Sequence, residues 1–157
     1  MNLLHVFAAA TSLSLVLACT SARAEDKKQE QKIACSKLPD AVRSGLSKEF
    51  PKATIKSCSK EIENQQVSYE LVTFEGKTRR DVVFSPEGKL VFLEEVVPFE
   101  SVPEPVRDAI LRAHPRKDVT LTEKTTRDGT VLYEFQVRAR AKRVQLVFDP
   151  NGKEVKP

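Results

Sequence analysis

Glu70 and Glu134 stand 64 residues apart in matching settings, Tyr69-Glu70-Leu71 and Tyr133-Glu134-Phe135. Two carboxylates at a fixed separation are the working parts of a glycoside hydrolase. His114 is a second candidate, because an imidazole titrates near neutral pH and can act as a general base. Neither has the company that catalysis needs. There is no Gly-x-Ser-x-Gly, no glycine-rich phosphate loop and no Cys–His pair, and five glycines leave little for a phosphate cradle. The stretch Phe148-Asp149-Pro150-Asn151-Gly152-Lys153 has the flavour of a calcium loop. An EF-hand needs acids or amides at alternate positions before its glycine. Here Pro150 follows Asp149 and only Asn151 supports the pattern, whereas Asp, Pro, Asn and Gly together make a tight turn. No catalytic residue, metal or cofactor is therefore expected. Cys35 and Cys58 carry no Cys-x-x-Cys spacing and are candidates for a disulfide, with two separate buried thiols as the alternative.

The matched glutamates belong to a longer repetition. Leu38–Pro51 (LPDAVRSGLSKEFP) lies over Val102–Pro115 (VPEPVRDAILRAHP) at an offset of 64 without a gap. Val67–Phe74 (VSYELVTF) lies over Val131–Arg138 (VLYEFQVR), and Arg79–Val91 (RRDVVFSPEGKLV) over Arg143–Val155 (RVQLVFDPNGKEV). His114 falls opposite Phe50, so one copy does without it. One register kept through a helix, several strands and two turns implies duplication of a supersecondary unit.

Each copy reads as one helix followed by strands. Pro39 and Pro103 stand at helix starts, where a missing N–H costs nothing, and Pro51 and Pro115 end the helices. Leu38, Val42, Leu46 and Val102, Val106, Ile110 recur at i, i+4, i+8, one apolar stripe per helix. Extended segments are expected at 54–61, 67–75, 78–84 and 90–96, then at 119–125, 131–140, 142–148 and 154–155. Short polar links between them predict antiparallel hairpins. The expected fold class is α+β: two tandem units, each one helix plus a four-stranded antiparallel meander, forming one extended sheet with helices on one face.

Alternation assigns the faces. Tyr69, Leu71, Tyr133, Phe135, Val82 and Phe84 point towards the helices. Glu70, Phe74, Arg79, Asp81, Glu134, Gln136, Arg138, Arg140, Lys142 and Arg143 are expected on the open face, which antiparallel sheets can leave in water. These ten form the candidate partner-binding set. Arg138, Arg140, Lys142 and Arg143 make a basic stripe, suited either to protecting an edge from strand pairing or to meeting an acidic partner.

Residues 3–18 are mostly apolar and uncharged; the segment runs on to Ala22-Arg23-Ala24 and then gives way to Glu25–Lys32, which is entirely polar. This is the layout of a secretory signal peptide. The expected domains are a signal peptide at 1–24, a polar leader at 25–37, and repeats at 38–97 and 98–157. The alternative is a lipid anchor on Cys19, within Val16-Leu17-Ala18-Cys19. Cleavage after Ala24 removes Arg23 and no acid, leaving a net charge of +3 from the whole chain's +4. So mild an excess gives no reason to expect nucleic acid, and the mature chain is expected to have no transmembrane span. The expected location is periplasmic or secreted, with a lipoprotein as the alternative.

The repeated combination of a helix, Phe50-Pro51-Lys52-Ala53, Tyr-Glu, and Val-Val-Phe-Ser-Pro-Glu-Gly-Lys resembles the PepSY-like domains of exported bacterial proteins. These are related in fold to the β-lactamase inhibitor protein, itself a tandem of two such units. The resemblance covers residues 35–153. It implies a concave sheet face backed by helices and a protein partner in the cell envelope. The expected function is a non-enzymatic binding module, an inhibitor of a peptidase or β-lactamase being one form of it. The alternative is an envelope accessory or sensor that binds a small or polymeric anion.

Overall fold

The computed structural model describes residues 29–139 and 142–156. The expected signal segment, Cys19 and Arg140 lie outside the described residues. The chain forms β1 (Gln29–Ile33), α1 (Asp40–Glu49), β2 (Thr54–Glu63), β3 (Gln66–Glu75), β4 (Thr78–Phe84) and β5 (Leu90–Val96). It continues through α2 (Glu104–Ala113), β6 (Val119–Arg127), β7 (Thr130–Ala139), β8 (Lys142–Phe148) and β9 (Glu154–Val155). The strands make a single antiparallel sheet in sequence order from β1 to β9. The fold is α+β, with one sheet and two helices among the described residues. No described helix is long and apolar enough to cross a membrane.

Both helices are ten residues long, too short to stand alone in water. Each begins after a proline in extended conformation, carries an acid in its first turn and a base in its last, and so opposes its own dipole. Packing does the rest. Val42 and Leu46 of α1 are buried with Cys58, Leu71, Val82 and Phe84. Val106 and Ile110 of α2 are buried with Tyr133, Phe135, Val137 and Phe148.

Strand register shows that these clusters lie on the same side. Leu71 pairs with Val82, Val82 with Leu93, Leu93 with Thr126, and Thr126 with Val131. Directly paired residues share a face and the side-chain period is two, so Leu71, Val131, Tyr133 and Phe135 all point the same way.

The two turns of the repeated SPEG/DPNG type hold the helices against the sheet. In each, the glycine N–H bonds back to the first residue's carbonyl, Gly88 to Ser85 at 2.9 Å and Gly152 to Asp149 at 3.0 Å. Asp149 Oδ1 also accepts from the N–H groups of Asn151 (2.9 Å) and Lys153 (3.0 Å). This carboxylate organises its own turn, as the sequence predicts. Gly88 and Gly152 both have φ near +80°. A Cβ on Gly88 would sit 2.1 Å from the carbonyl oxygen of Ala41 in α1, and one on Gly152 2.3 Å from that of Pro105 in α2. The helix backbone touches the turn backbone at both places.

Two features differ from a leader followed by repeats. Residues 29–33 lie within the expected polar leader, yet they pair with β2 from Gln29↔Ile62 to Ile33↔Cys58. Backbone pairing needs no apolar side chain, and Gln29–Lys32 stay exposed, so no hydrophobic pattern marks this strand. Cys35 and Cys58 form a disulfide with Cα atoms 5.4 Å apart, tying the segment after β1 to β2.

The close turn–helix approach predicts an asymmetry among glycines. Gly129 also has φ +80°, but nothing lies within 4 Å of its would-be Cβ. Gly129→Ala should cost only the backbone strain, about 1 kcal/mol, whereas Gly88→Ala and Gly152→Ala should each lose about 2 kcal/mol or more. Urea denaturation of the three variants measures the difference.

Candidate functional site: the open face of the sheet

Side chains of the opposite parity form a face against which neither helix packs. Ser59 pairs with Glu70, and Val72, Asp81, Glu94, Thr125 and Leu132 form one continuous row. Glu123 pairs with Glu134, which pairs with Val147. The middle of this face therefore collects Glu61, Glu70, Asp81, Glu94, Glu123 and Glu134 from six consecutive strands, β2 to β7. Arg79 of β4 is the cation among them.

Crowding sets their chemistry. Burial pushes the Glu70 carboxyl up to about 7, with the Glu61 carboxyl sharing a hydrogen bond and adding its charge. Burial likewise raises Glu94 to about 7, helped by the charges of Glu123, Asp81 and Glu134. Glu123 is only 8% exposed and is raised by burial and by Glu134, while Arg79 and a hydrogen bond with Glu94 oppose the rise. Near neutral pH Glu70 and Glu94 thus keep part of their protons. Arg79 bonds Asp81 Oδ2 at 2.5 Å. The other oxygen, Asp81 Oδ1, is buried with no hydrogen-bond partner among the described residues. Gln145 Nε2 donates to Glu134 Oε2.

The face deepens into a groove of about 720 Å³ where the 63–66, 85–87 and 127–128 segments converge. Glu61, Glu63, Glu70, Glu87 and Asp128 supply its acids, Val83 and Phe92 its apolar floor. Arg127 is its one cation and lies over the Phe92 ring at 5.0 Å, a favourable cation–π placement.

Of the ten residues expected on this face, the structure places Glu70, Phe74, Arg79, Asp81, Glu134, Gln136, Arg138 and Arg143 there. Lys142 is a correction. It pairs with Ala139 and shares the parity of Val144 and Leu146, on the helix side. β7 and β8 are antiparallel with Ala139 opposite Lys142, so the i, i+2, i+4 count from Arg138 does not carry from one strand to the next. Arg140 lies outside the described residues. Arg138 and Arg143 face each other across β7 and β8, leaving the face acidic at its centre and basic at this corner.

Glu70 and Glu134 do not meet. They lie on β3 and β7, four strand spacings or about 19 Å apart, well beyond the roughly 5–9.5 Å used in glycoside hydrolysis. His114 is half-buried at the end of α2, where its N–H closes the last turn on the Ile110 carbonyl at 3.0 Å. Among the described residues no group of His, Cys, Asp and Glu is placed to hold a metal ion.

Sequence reasoning missed Glu61, Glu94 and Glu123. Adjacent Glu94 and Glu95 put one carboxylate on each side of β5, and only register tells which. Glu95 goes to the helix side and takes Arg80 at 2.6 Å.

The sequence matches the model of the family described as "Putative beta-lactamase-inhibitor-like, PepSY-like" over residues 24–92 and again over 67–156. The chain belongs to the PepSY-like family. No curated protein matches it in sequence. Solved structures share the PepSY-like fold at low identity. One, described among "putative periplasmic proteins" from Bacteroides eggerthii, superposes with a TM-score of 0.62 at 20% identity, covering 76% of this chain and 86% of that one. A BLIP-like protein from Bacteroides fragilis gives 0.58 at 20%, covering 75% and 84%. A DUF2874 family protein from Bacteroides ovatus gives 0.59 at 18%, again covering 75% and 84%.

The raised carboxyls of this PepSY-like face fix the sign of its pH dependence. Between about pH 4.5 and 7 the folded chain holds protons on Glu70 and Glu94 that the unfolded chain has released, and the raised Glu123 acts in the same direction, so stability falls as pH rises through that window. The melting temperature should be higher at pH 5.5 than at pH 8, and Glu94→Gln should flatten the slope. A melting temperature that rises from pH 5.5 to 8 would contradict this electrostatic reading. Differential scanning calorimetry across the range is the check.

Proposed function

We propose that the chain is an exported, non-enzymatic binding module built from two copies of one helix-plus-meander unit, and that it takes a cationic segment of a partner protein onto the open face of the sheet. The observation that carries this is the uncovered row of crowded carboxylates between β2 and β7. A lysine or arginine brought to that row returns Glu70 and Glu94 to their ionised state and offers Asp81 Oδ1 a donor, so the gain is larger than for dispersed surface acids. The groove beside Phe92 adds an apolar floor for the stem of such a side chain.

Export is supported by the signal-like N-terminal sequence, by the Cys35–Cys58 disulfide, which persists in oxidising compartments, and by the periplasmic description of one structural neighbour. The family description and the BLIP-like neighbour make inhibition of an envelope hydrolase the form of binding to test first. Binding of an anion, the alternative, has support only at the Arg138–Arg143 corner, since the centre of the face repels it.

The test uses two extended peptides of equal length, one lysine-rich and one glutamate-rich, titrated calorimetrically onto the chain. The lysine-rich peptide should bind, more weakly at pH 5.5 than at pH 8 and more weakly at high salt. Glu94→Gln with Glu123→Gln should reduce its affinity by about tenfold, as truncating close charge pairs does. Equal affinity for the two peptides, or no loss in the double variant, would overturn the reading.

A further inference from the structure

The outer edge of β8 is bare. β9 pairs only with Val147 and Phe148, and among the described residues no strand lies beside 142–146. Lys142, Arg143, Val144 and Gln145 are all exposed. The strand 64 residues earlier, β4, is paired by β5 from Arg80 to Phe84, and none of its residues is exposed. The same kind of edge is thus covered at one place in the molecule and open at the other.

The covered edge shows what such a strand supplies. Leu93 and Leu90 of β5 lie against Val82 and Phe84 and pack on the core of α1. Glu95 takes Arg80, and Glu94 lies in the field of Arg79. The open edge presents the complementary needs. Val144 is 36% exposed on the helix side. Arg143 occupies the place that Arg79 occupies in β4. Arg138, Lys142 and Arg143 have no carboxylate within ion-pair distance among the described residues.

We propose that the edge of β8 is a strand-addition site for an extended segment of a partner protein in which apolar residues alternate with carboxylates. Main-chain hydrogen bonds to residues 142–146 supply affinity, as at other open sheet edges. The apolar residues cover Val144 and Leu146 on the helix side, and the carboxylates meet Arg143 on the other. Pairing with a second copy is disfavoured, because it gathers both sets of Arg138, Lys142 and Arg143 along one seam, and like charges facing across strands destabilise a sheet. Edge charges that prevent self-association here also select an acidic strand. This site is separate from the acidic open face.

The probe is a synthetic peptide in which the two kinds of residue alternate, Val-Glu-Val-Glu-Val-Glu-Val, compared with the same peptide carrying lysine for every glutamate. The acidic peptide should bind and slow amide hydrogen exchange at residues 143–146. Arg143→Glu, an exposed change that leaves the core untouched, should weaken it by about tenfold, while Glu94→Gln with Glu123→Gln should leave it unchanged. The two readings therefore fail separately. Protection elsewhere or none at all, equal binding of the lysine peptide, unchanged affinity in Arg143→Glu, or protection of 143–146 that grows with protein concentration without peptide would each overturn the proposal.

Discussion

Strand register is the constraint from which the open face follows. A one-residue slip in any strand would send its whole set of side chains to the other side. Here Leu71, Val82, Tyr133 and Phe135 must lie under the helices, and their burial at 0–9% exposure fixes the parity of β3, β4 and β7. Once those apolar residues are placed, Glu70, Asp81 and Glu134 have only the other side to occupy. Backbone pairing carries the same parity through β2, β5 and β6 to Glu61, Glu94 and Glu123. The carboxylates are thus brought together by the demands of the core, not by attraction for one another.

That arrangement opposes folding as the pH rises. Carboxyls forced together in partly buried positions give up part of their charge, which is why Glu70 and Glu94 titrate about 7. Arg79 offsets some of this through Asp81 and through its field at Glu94 and Glu123. The contrast with the helix side is informative. There Arg80 lies between Glu95 at 2.6 Å and Glu75 at 3.2 Å, and its guanidinium also covers the Phe50 ring at 5.2 Å. Arg80 is thus neutralised within the fold, while the carboxylates of the open face are left in excess, the feature on which the proposed cationic partner rests.

Much of the scaffold was legible in the sequence. Val42 and Leu46, with Val106 and Ile110, recur every four residues with polar Ser44 and Asp108 between them; a strand would put those polar residues on the buried side, and a helix does not. The turns at Gly88 and Gly152 announced themselves by composition, and β4 and β8 were read with their observed bounds. What escaped was whatever polarity does not mark. Gln29–Lys32 form an edge strand through the backbone alone. In β6, Thr122 is buried on the helix side while Glu123 and Thr125 are buried on the other, so the strand shows no alternation of polar with apolar. The acidic cluster is assembled across six strands, and its members are too far apart in sequence for local pattern to join them. Lys142 was misplaced for the opposite reason, since a local period of two was carried from one strand into the next.

The carboxyls of the open face share one partly buried environment, and every pH-dependent property of that face follows from it. A carbon-detected NMR titration of the glutamate side chains measures this without any ligand. Midpoints near 7 for Glu70 and Glu94 are the expected result. Titration of both close to the ordinary value of 4.5 would show that the face is an ordinary solvated surface and would contradict the account.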